Sequence, residues 1–244
     1  MAIVEHFHAA LSASADELPG DELLPERLAR ASAQVLPVAG AGISLCSSPG
    51  RHLPLGASDP TSGEVERQQF TTGEGPCVAS HDSGEPVRAT ESTLHSRWPG
   101  FYDAVATRTP VRSILTLPLP GELLGIGALD LYLRPPEGAD TLDGEDAVTV
   151  GDEVTTVLQT ASRAARSTSE LPGWTDAPPA QRRALVWQAI GLLSARLRVP
   201  GPDALSLLRA HAYCTGTSLD ELAAALIAGE VEPQEMALDA DHPE

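Results

Sequence analysis

The sequence predicts two fold classes in series. An α+β unit, built as an antiparallel sheet with flanking helices, comes first, and an all-α bundle of three helices follows. Three observations carry this. VRSILTLPLP and LLGIGALDLYLR are two apolar, strand-like runs separated by a turn at Pro120-Gly121-Glu122. From Arg182 to Gly229, three short amphipathic segments follow one another with almost no connecting residues. Between these regions lies SELPGWTDAPPA, residues 169–180, whose prolines cannot continue a helix, so it reads as a linker.

The N-terminal part gives the elements of the first unit in order. Ile3, Phe7, Ala10 and Leu11 share one face of a helix over residues 1–18, ended by Leu18-Pro19-Gly20. Asp21 to Leu36 repeats apolar residues at Leu24, Leu28 and Ala31, with acids at its start that complement the helix dipole. Residues 41–48 and 52–58 read as a hairpin around Pro49-Gly50, and Glu64 to Phe70 as a helix. The stretch from Gln69 to Glu91 reads as loops and short extended pieces, punctuated by glycine and proline. A short helix over residues 100–107, the two clear strands, and a helix over 144–165 complete the unit. The helix carries Ala147, Val150, Val154, Val157, Leu158 and Ala161 on its apolar side. This order suggests a sheet with helices on one side, spanning residues 20–168. The stripe Val150, Val154, Val157 and Ala161 is a candidate homodimer seam.

The C-terminal helices follow from spacing alone. Leu185, Ala189, Leu192, Leu193 and Leu197 mark one face of the first. Pro202 suits an opening helical position, and Leu205, Leu208 and Ala212 follow it. Ser218 and Glu221 have capping-box spacing ahead of Leu219, Leu222, Ala223, Leu226 and Ile227. Three such stripes can bury one another, which places a bundle over residues 181–230. Residues 231–244, acidic and without aromatics, read as a disordered tail.

Particular residues in this bundle carry a family resemblance. Gln188-Ala189-x-Gly191-Leu192-Leu193-x-x-Arg196, Ala204-x-x-x-Leu208-Arg209-x-x-Ala212 and Leu219-x-x-Leu222-Ala223 resemble the ANTAR domain. That family is a three-helix RNA-binding module of bacterial antitermination regulators. Where it carries a lysine in a Gln-Ala-Lys-Gly run, Ile190 stands here, and Gly216-Thr217-Ser218 replaces the basic residues ahead of its third helix. Upstream, Gly73-Glu74-Gly75-Pro76-Cys77, Arg97-Trp98-Pro99-x-Phe101, Val111-Arg112-Ser113 with Leu117-Pro118-Leu119, and Gly127-Ala128-Leu129-Asp130-Leu131-Tyr132 resemble the GAF domains that precede ANTAR domains in actinobacterial regulators. The resemblance implies binding of RNA hairpins in nascent transcripts, a homodimer, and a sensor domain with a small-molecule ligand. It places Arg196 and Arg209 at basic positions of the pattern. The second reading is a bundle that kept its core and lost its RNA contacts, serving as a protein-interaction module.

Charge separates these readings. The chain of 244 residues carries a formal charge of -18, and its 16 basic residues are all arginine. A global charge of that sign opposes nucleic-acid binding, because phosphate contacts need cations. The bundle differs: Arg182, Arg183, Arg196, Arg198 and Arg209 face Asp203, Asp220, Glu221 and Glu230, a net of +1. These five arginines are the candidate RNA contacts. Trp187 and Tyr213 could stack on bases.

Chemistry is sparse. Cys77 with His81 and Asp82 could in principle make a nucleophile pair, but that spacing reads better as a loop shaping or packing beneath a pocket. Cys77, His95 and Trp98 are the candidate ligand-pocket residues. Gly73-x-Gly75 lacks the Lys-Ser/Thr ending of a phosphate loop. Cys46, Cys77 and Cys214 are widely spaced, with no CxxC pair, which gives neither a disulfide framework nor a zinc signature. We therefore expect no catalytic residue, metal or cofactor. No apolar run is long enough to span a bilayer, and the N-terminus lacks signal-peptide character, so a cytoplasmic protein is expected.

Overall fold

A computed structural model describes residues 2–46, 52–123, 125–136, 138–168 and 170–236. The chain forms two compact units, Met1–Ala180 and Gln181–Glu244. The expected hairpin turn at Pro49-Gly50 lies outside the described residues.

The first unit is a five-stranded antiparallel sheet in the order β2-β1-β5-β4-β3. Its strands are β1 (Gly40–Cys46), β2 (His52–Ala57), β3 (Val87–Ala89), β4 (Ser113–Pro118) and β5 (Gly127–Leu133). Register sorts the side chains. Ile43 lies opposite Leu129, and Leu129 opposite Leu117; Ala41 lies opposite Leu131, and Leu131 opposite Leu115. Because side chains alternate along a strand, these residues share one face. With Phe7, Leu28, Val150, Val154 and Leu158 they form the main core. That face is covered by α1 (Ala2–Ala13), α2 (Leu24–Val35) and α7 (Gly144–Ser167).

The alternate residues line the opposite face. Gly42, Asp130 and Thr116 form one row across β1, β5 and β4; Gly40, Tyr132 and Ile114 form the next. Over this face pack α3 (Pro60–Thr72), α4 (Pro76–Ser83), α5 (Glu91–Arg97) and α6 (Pro99–Arg108). Val65, Leu94, Trp98, Phe101 and Val105 join Ile114 and Tyr132 in a second apolar cluster. The expectation of helices on one side is thus corrected. Both faces are covered, because α4 forms within the stretch read as loops and α5 begins where that stretch ends. Gly73 and Gly84, the glycines that punctuate the sequence, are left-handed caps ending α3 and α4.

The seam expected for a dimer is also corrected. Val150 and Val154 of α7 are buried in the unit's own core, and Val157 and Ala161 pack against it. The helix instead exposes Asp152, Thr156, Thr160 and Arg163. In the stretch read as a linker, Trp174 and Ala177 are buried in the same core, and Gly173–Asp176 forms a short 3-10 turn.

The second unit carries α9 (Gly201–Thr215) and α10 (Leu219–Ala228), preceded by α8 (Pro178–Leu197). On α8, Val186, Ala189, Ile190 and Leu193 are buried as a regular i, i+3, i+4, i+7 apolar stripe. The face read from Leu185, Leu192 and Leu197 is rotated from this one, and those three leucines are half-buried at its border. On α9, Ala204, Leu205, Leu208 and Ala212 are buried; on α10, Leu219, Leu222, Ala223 and Leu226. Ser218 and Glu221 form the capping box their spacing predicts. The segment read as a disordered tail opens on an ordered turn, Pro233–Met236, in which Pro233 and Met236 are buried; residues 237–244 lie outside the described residues.

Candidate nucleic-acid interface and a buried polar cluster

The five candidate arginines take different positions. Arg182, Arg196 and Arg198 are exposed. Arg182 and Arg196 sit fourteen residues apart on α8, about 21 Å along the axis and within about 40° around it. Arg198 lies in the turn before α9 with φ 58, a left-handed conformation that L-residues other than glycine seldom adopt. The turn is held by the Ser194 hydroxyl, which donates to the Val199 carbonyl at 2.6 Å. Arg209 is half-buried on α9, and that burial lowers its pKa from the usual guanidinium value.

Arg183 departs from its expected role. Its side chain is 1% exposed, and Nη1 lies 3.5 Å from Oδ1 of Asp220, which is 12% exposed. The pair joins α8 to α10, so Arg183 is part of the bundle's interior and offers no face to RNA. Arginine is the cation suited to this place, because its long apolar stem packs and its charge is weakly hydrated.

Ile190 is 9% exposed. Its position serves packing here, so an isoleucine replaces a cation where the chain is buried. Tyr213 is 68% exposed, one helical turn beyond Arg209 on α9. Trp187 is half-buried.

In the first unit, the three candidate pocket residues differ in exposure and in partners. Trp98 is buried in the apolar cluster, with the Arg97 guanidinium 4.6 Å from its ring centroid. His95 is exposed and meets the Tyr102 ring edge-on at 5.4 Å. Cys77 is buried, with its Sγ 3.3 Å from the Ser44 hydroxyl.

Around Cys77 the structure assembles a cluster that residue patterns did not indicate. Asp130 accepts at Oδ2 from the Gln69 amide at 3.1 Å and at Oδ1 from the Thr116 hydroxyl. The Gln69 carbonyl accepts from the Cys77 backbone N–H at 2.8 Å, and the Tyr132 hydroxyl donates to Glu66 Oε1 at 2.5 Å. Glu66, Gln69, Cys77, Thr116, Asp130 and Tyr132 are all at most 1% exposed. Gly42 admits the cluster: a Cβ there would lie 2.0 Å from Glu66 Oε1 and 2.9 Å from the Tyr132 hydroxyl.

Electrostatics follow from this burial. It pushes the Cys77 thiol well above its ordinary value, and the Asp130 and Glu66 charges push it further. Tyr132 is raised well above its ordinary value for the same reasons. A thiol so held is a poor nucleophile, since the thiolate is the reactive form. Among the described residues no group of three or more His, Cys, Asp or Glu gathers to hold a metal ion.

Comparison with known proteins places the second unit in a class. Residues 180–227 match the ANTAR domain family, and the antiparallel α+β unit precedes them. Among solved structures, the chain is similar to the GAF domain of a phosphoenolpyruvate-protein phosphotransferase (ptsP) from Coxiella burnetii. The identity is 14% over 68% of this chain and 96% of that one, with a TM-score of 0.46. The GAF domain of an Acinetobacter phosphoenolpyruvate-protein phosphotransferase is similar at 15% identity, over 68% of this chain and 98% of that one, with a TM-score of 0.45. No curated protein matches the chain. Among the described residues, no helix is long and apolar enough to cross a membrane.

Proposed function

We propose that the chain is a cytoplasmic regulator of transcription antitermination that binds RNA hairpins in nascent transcripts through its C-terminal domain. The observation that carries this is the ANTAR match over residues 180–227, on a bundle whose α8 and following turn expose Arg182, Arg196 and Arg198. Phosphates are held by these cations, with Arg209 beside them in the family pattern. Loop bases are unstacked and open to contact by an exposed aromatic such as Tyr213. Binding one RNA fold draws the population away from a competing terminator, so no catalysis is required. The first unit acts as a GAF-like sensor or assembly domain. That assignment is supported by the sequence resemblance in residues 73–77, 97–101, 111–119 and 127–132.

Arg183, buried against Asp220, is not part of this interface, and the domain's charge is small. That favours one specific alternative: a bundle kept as a protein-interaction module. Fluorescence anisotropy of the full chain with a two-hairpin RNA, at several salt concentrations, separates the two. Binding that weakens steeply with salt supports the RNA reading. Absence of binding at low salt overturns it.

A further inference from the structure

A cavity of about 480 Å³ lies in the first unit where the end of α7 meets the start of α2. It is on the side of the sheet that α1, α2 and α7 cover, opposite the apolar cluster of Trp98. Its walls have a local cause. Ala161, Ala164 and Ala165 fall at i, i+3 and i+4 on α7, so this helical face lines the cavity with methyl groups alone. After Thr168 the chain turns off the helix, and the Thr168 and Glu170 N–H groups both donate to the Ala165 carbonyl, at 3.1 and 2.9 Å. Gly173 then passes close to the 3-10 turn Asp21–Leu23: a Cβ there would lie 2.8 Å from the Asp21 Cβ and 3.1 Å from the Glu22 nitrogen. Trp174, 6% exposed, follows into the core. The segment is thus held at both ends, and Leu24, Leu171 and Trp174 complete the apolar lining.

We propose that this cavity binds a small organic cation with an apolar body, such as an aryl or branched alkyl amine. The volume is that of a small-molecule site. The alanine methyls, Leu24 and the Trp174 indole favour an apolar body, whose burial removes both surfaces from water. Leu171, 78% exposed, is the large apolar side chain that such a body covers. Charge sets the sign of the ligand. Asp21 and Glu170 bring carboxylates to the lining, Thr168 donates its hydroxyl to Glu170 Oε2 at 3.0 Å, and no arginine is among the described lining residues. Neither carboxylate has an ion-pair partner among the described residues. An ammonium pairs with them, a neutral analogue leaves them dehydrated beside it, and an anionic one is repelled. The wall that holds Leu171 and Trp174 is also the chain that enters α8 at Pro178, so an occupied cavity fixes the start of that connection. The site is independent of any RNA contact in the second unit.

Phenethylammonium is the probe, with phenethyl alcohol and phenylpropionate as its neutral and anionic counterparts. Each is titrated into the isotope-labelled full chain while the indole N–H resonances are followed by NMR, with that of Trp174 assigned by its loss in Trp174→Phe. Phenethylammonium should shift the Trp174 resonance saturably, at millimolar concentration, and leave that of Trp98 in place. Phenethyl alcohol should bind about fivefold more weakly, and phenylpropionate should not bind. Asp21→Asn combined with Glu170→Gln should weaken the ammonium by about fivefold, to the level of the alcohol. Ala164→Leu changes an exposed position and fills the cavity, and should abolish the shift. No saturable shift at Trp174, equal responses to the ammonium and the carboxylate, or unchanged affinity in Ala164→Leu overturns the proposal. Should Ala164→Leu fail to fold, the doubly neutralised variant decides: wild-type affinity for the ammonium in that variant overturns it.

Discussion

The Arg183 guanidinium lies 3.5 Å from the Asp220 carboxylate, and the two side chains are 1% and 12% exposed. One cation of α8 is thereby spent on the bundle and not on a ligand. Removing one partner leaves a charge in the interior without its counterion. Asp220→Ala should destabilise the second unit by roughly 3 kcal/mol, and Arg183→Ala by a similar amount. The double change to apolar residues of like volume should cost much less. Thermal unfolding of the full chain, read as a double-mutant cycle, checks this; additive losses would show that the two charges do not interact.

Arg198 allows charge to be separated from folding. Its left-handed backbone, φ 58, costs an L-residue about 1–2 kcal/mol, which glycine avoids at some loss of unfolded-state entropy. Arg198→Gly should therefore melt at or slightly above the wild type. If Arg198 contacts phosphate, the same variant should weaken RNA binding and reduce the salt slope by about 1. Arg196→Ala should do likewise. Tyr213→Ala should lose affinity with the salt slope unchanged, since stacking releases no counterions, at a cost of about 1–3 kcal/mol. Equal slopes in all three variants would move the interface elsewhere on the domain.

Restoring the family's cation at Ile190 looks, on pattern alone, like a way to strengthen RNA binding. Burial reverses the expectation. At 9% exposure, Ile190→Lys places an ammonium where isoleucine packs, and should cost about 2–4 kcal/mol of stability. RNA affinity should not rise. A stable variant with tighter binding would show that the lysine reaches solvent and the face is merely weakened.

The fifth strand was legible because LLGIGALDLYLR is a short apolar run that follows a turn at Pro120-Gly121-Glu122. The capping box of Ser218 and Glu221 was equally plain, since it depends on four neighbouring residues. Arg183 was not legible: its partner lies 37 residues away, and arginine reads as surface by default. The buried cluster was missed because its members come from α3, α4, β4 and β5, far apart in sequence, and Glu66 and Gln69 were read only as part of a helix over Glu64 to Phe70. One signal was present. Asp130 is a lone acid between Leu129 and Leu131, inside the most apolar strand of the chain. A charge in such a run is either a strand's solvent face or a buried group with partners, and the α4 helix that covers it formed in a stretch read as loop.

Asp59 sets the acid limit of α3. Burial opposes its ionisation, but hydrogen bonds from the Ser62 and Ser58 hydroxyls and from the Ser62 and Thr61 backbone N–H groups prevail, and its pKa is lowered. The two backbone bonds, 2.8 Å from Thr61 and 3.1 Å from Ser62, cap the helix. A depressed carboxylate contributes stability that is present above the unfolded-state value, about 3.9, and is lost as pH falls through the folded value. Asp59→Ala should cost about 1–2 kcal/mol at neutral pH and less in acid. A loss that stays constant from neutral pH to below pH 3 would assign the effect to packing.

Thiol chemistry tests the two environments of cysteine side by side. Cys46 and Cys77 are buried and Cys214 is exposed. Alkylation requires a thiolate within reach of reagent, and at Cys77 burial and the neighbouring carboxylates suppress the thiolate as well as the access. In the native chain at mildly alkaline pH, iodoacetamide should modify Cys214 first, while Cys77 reacts only through opening of the first unit. Its labelling rate should then follow the stability of that unit and rise in Asp130→Asn. After unfolding in denaturant all three should react alike, as read by peptide mass spectrometry. Native labelling of Cys77 at the rate of Cys214 would contradict both its burial and the charge placed beside it.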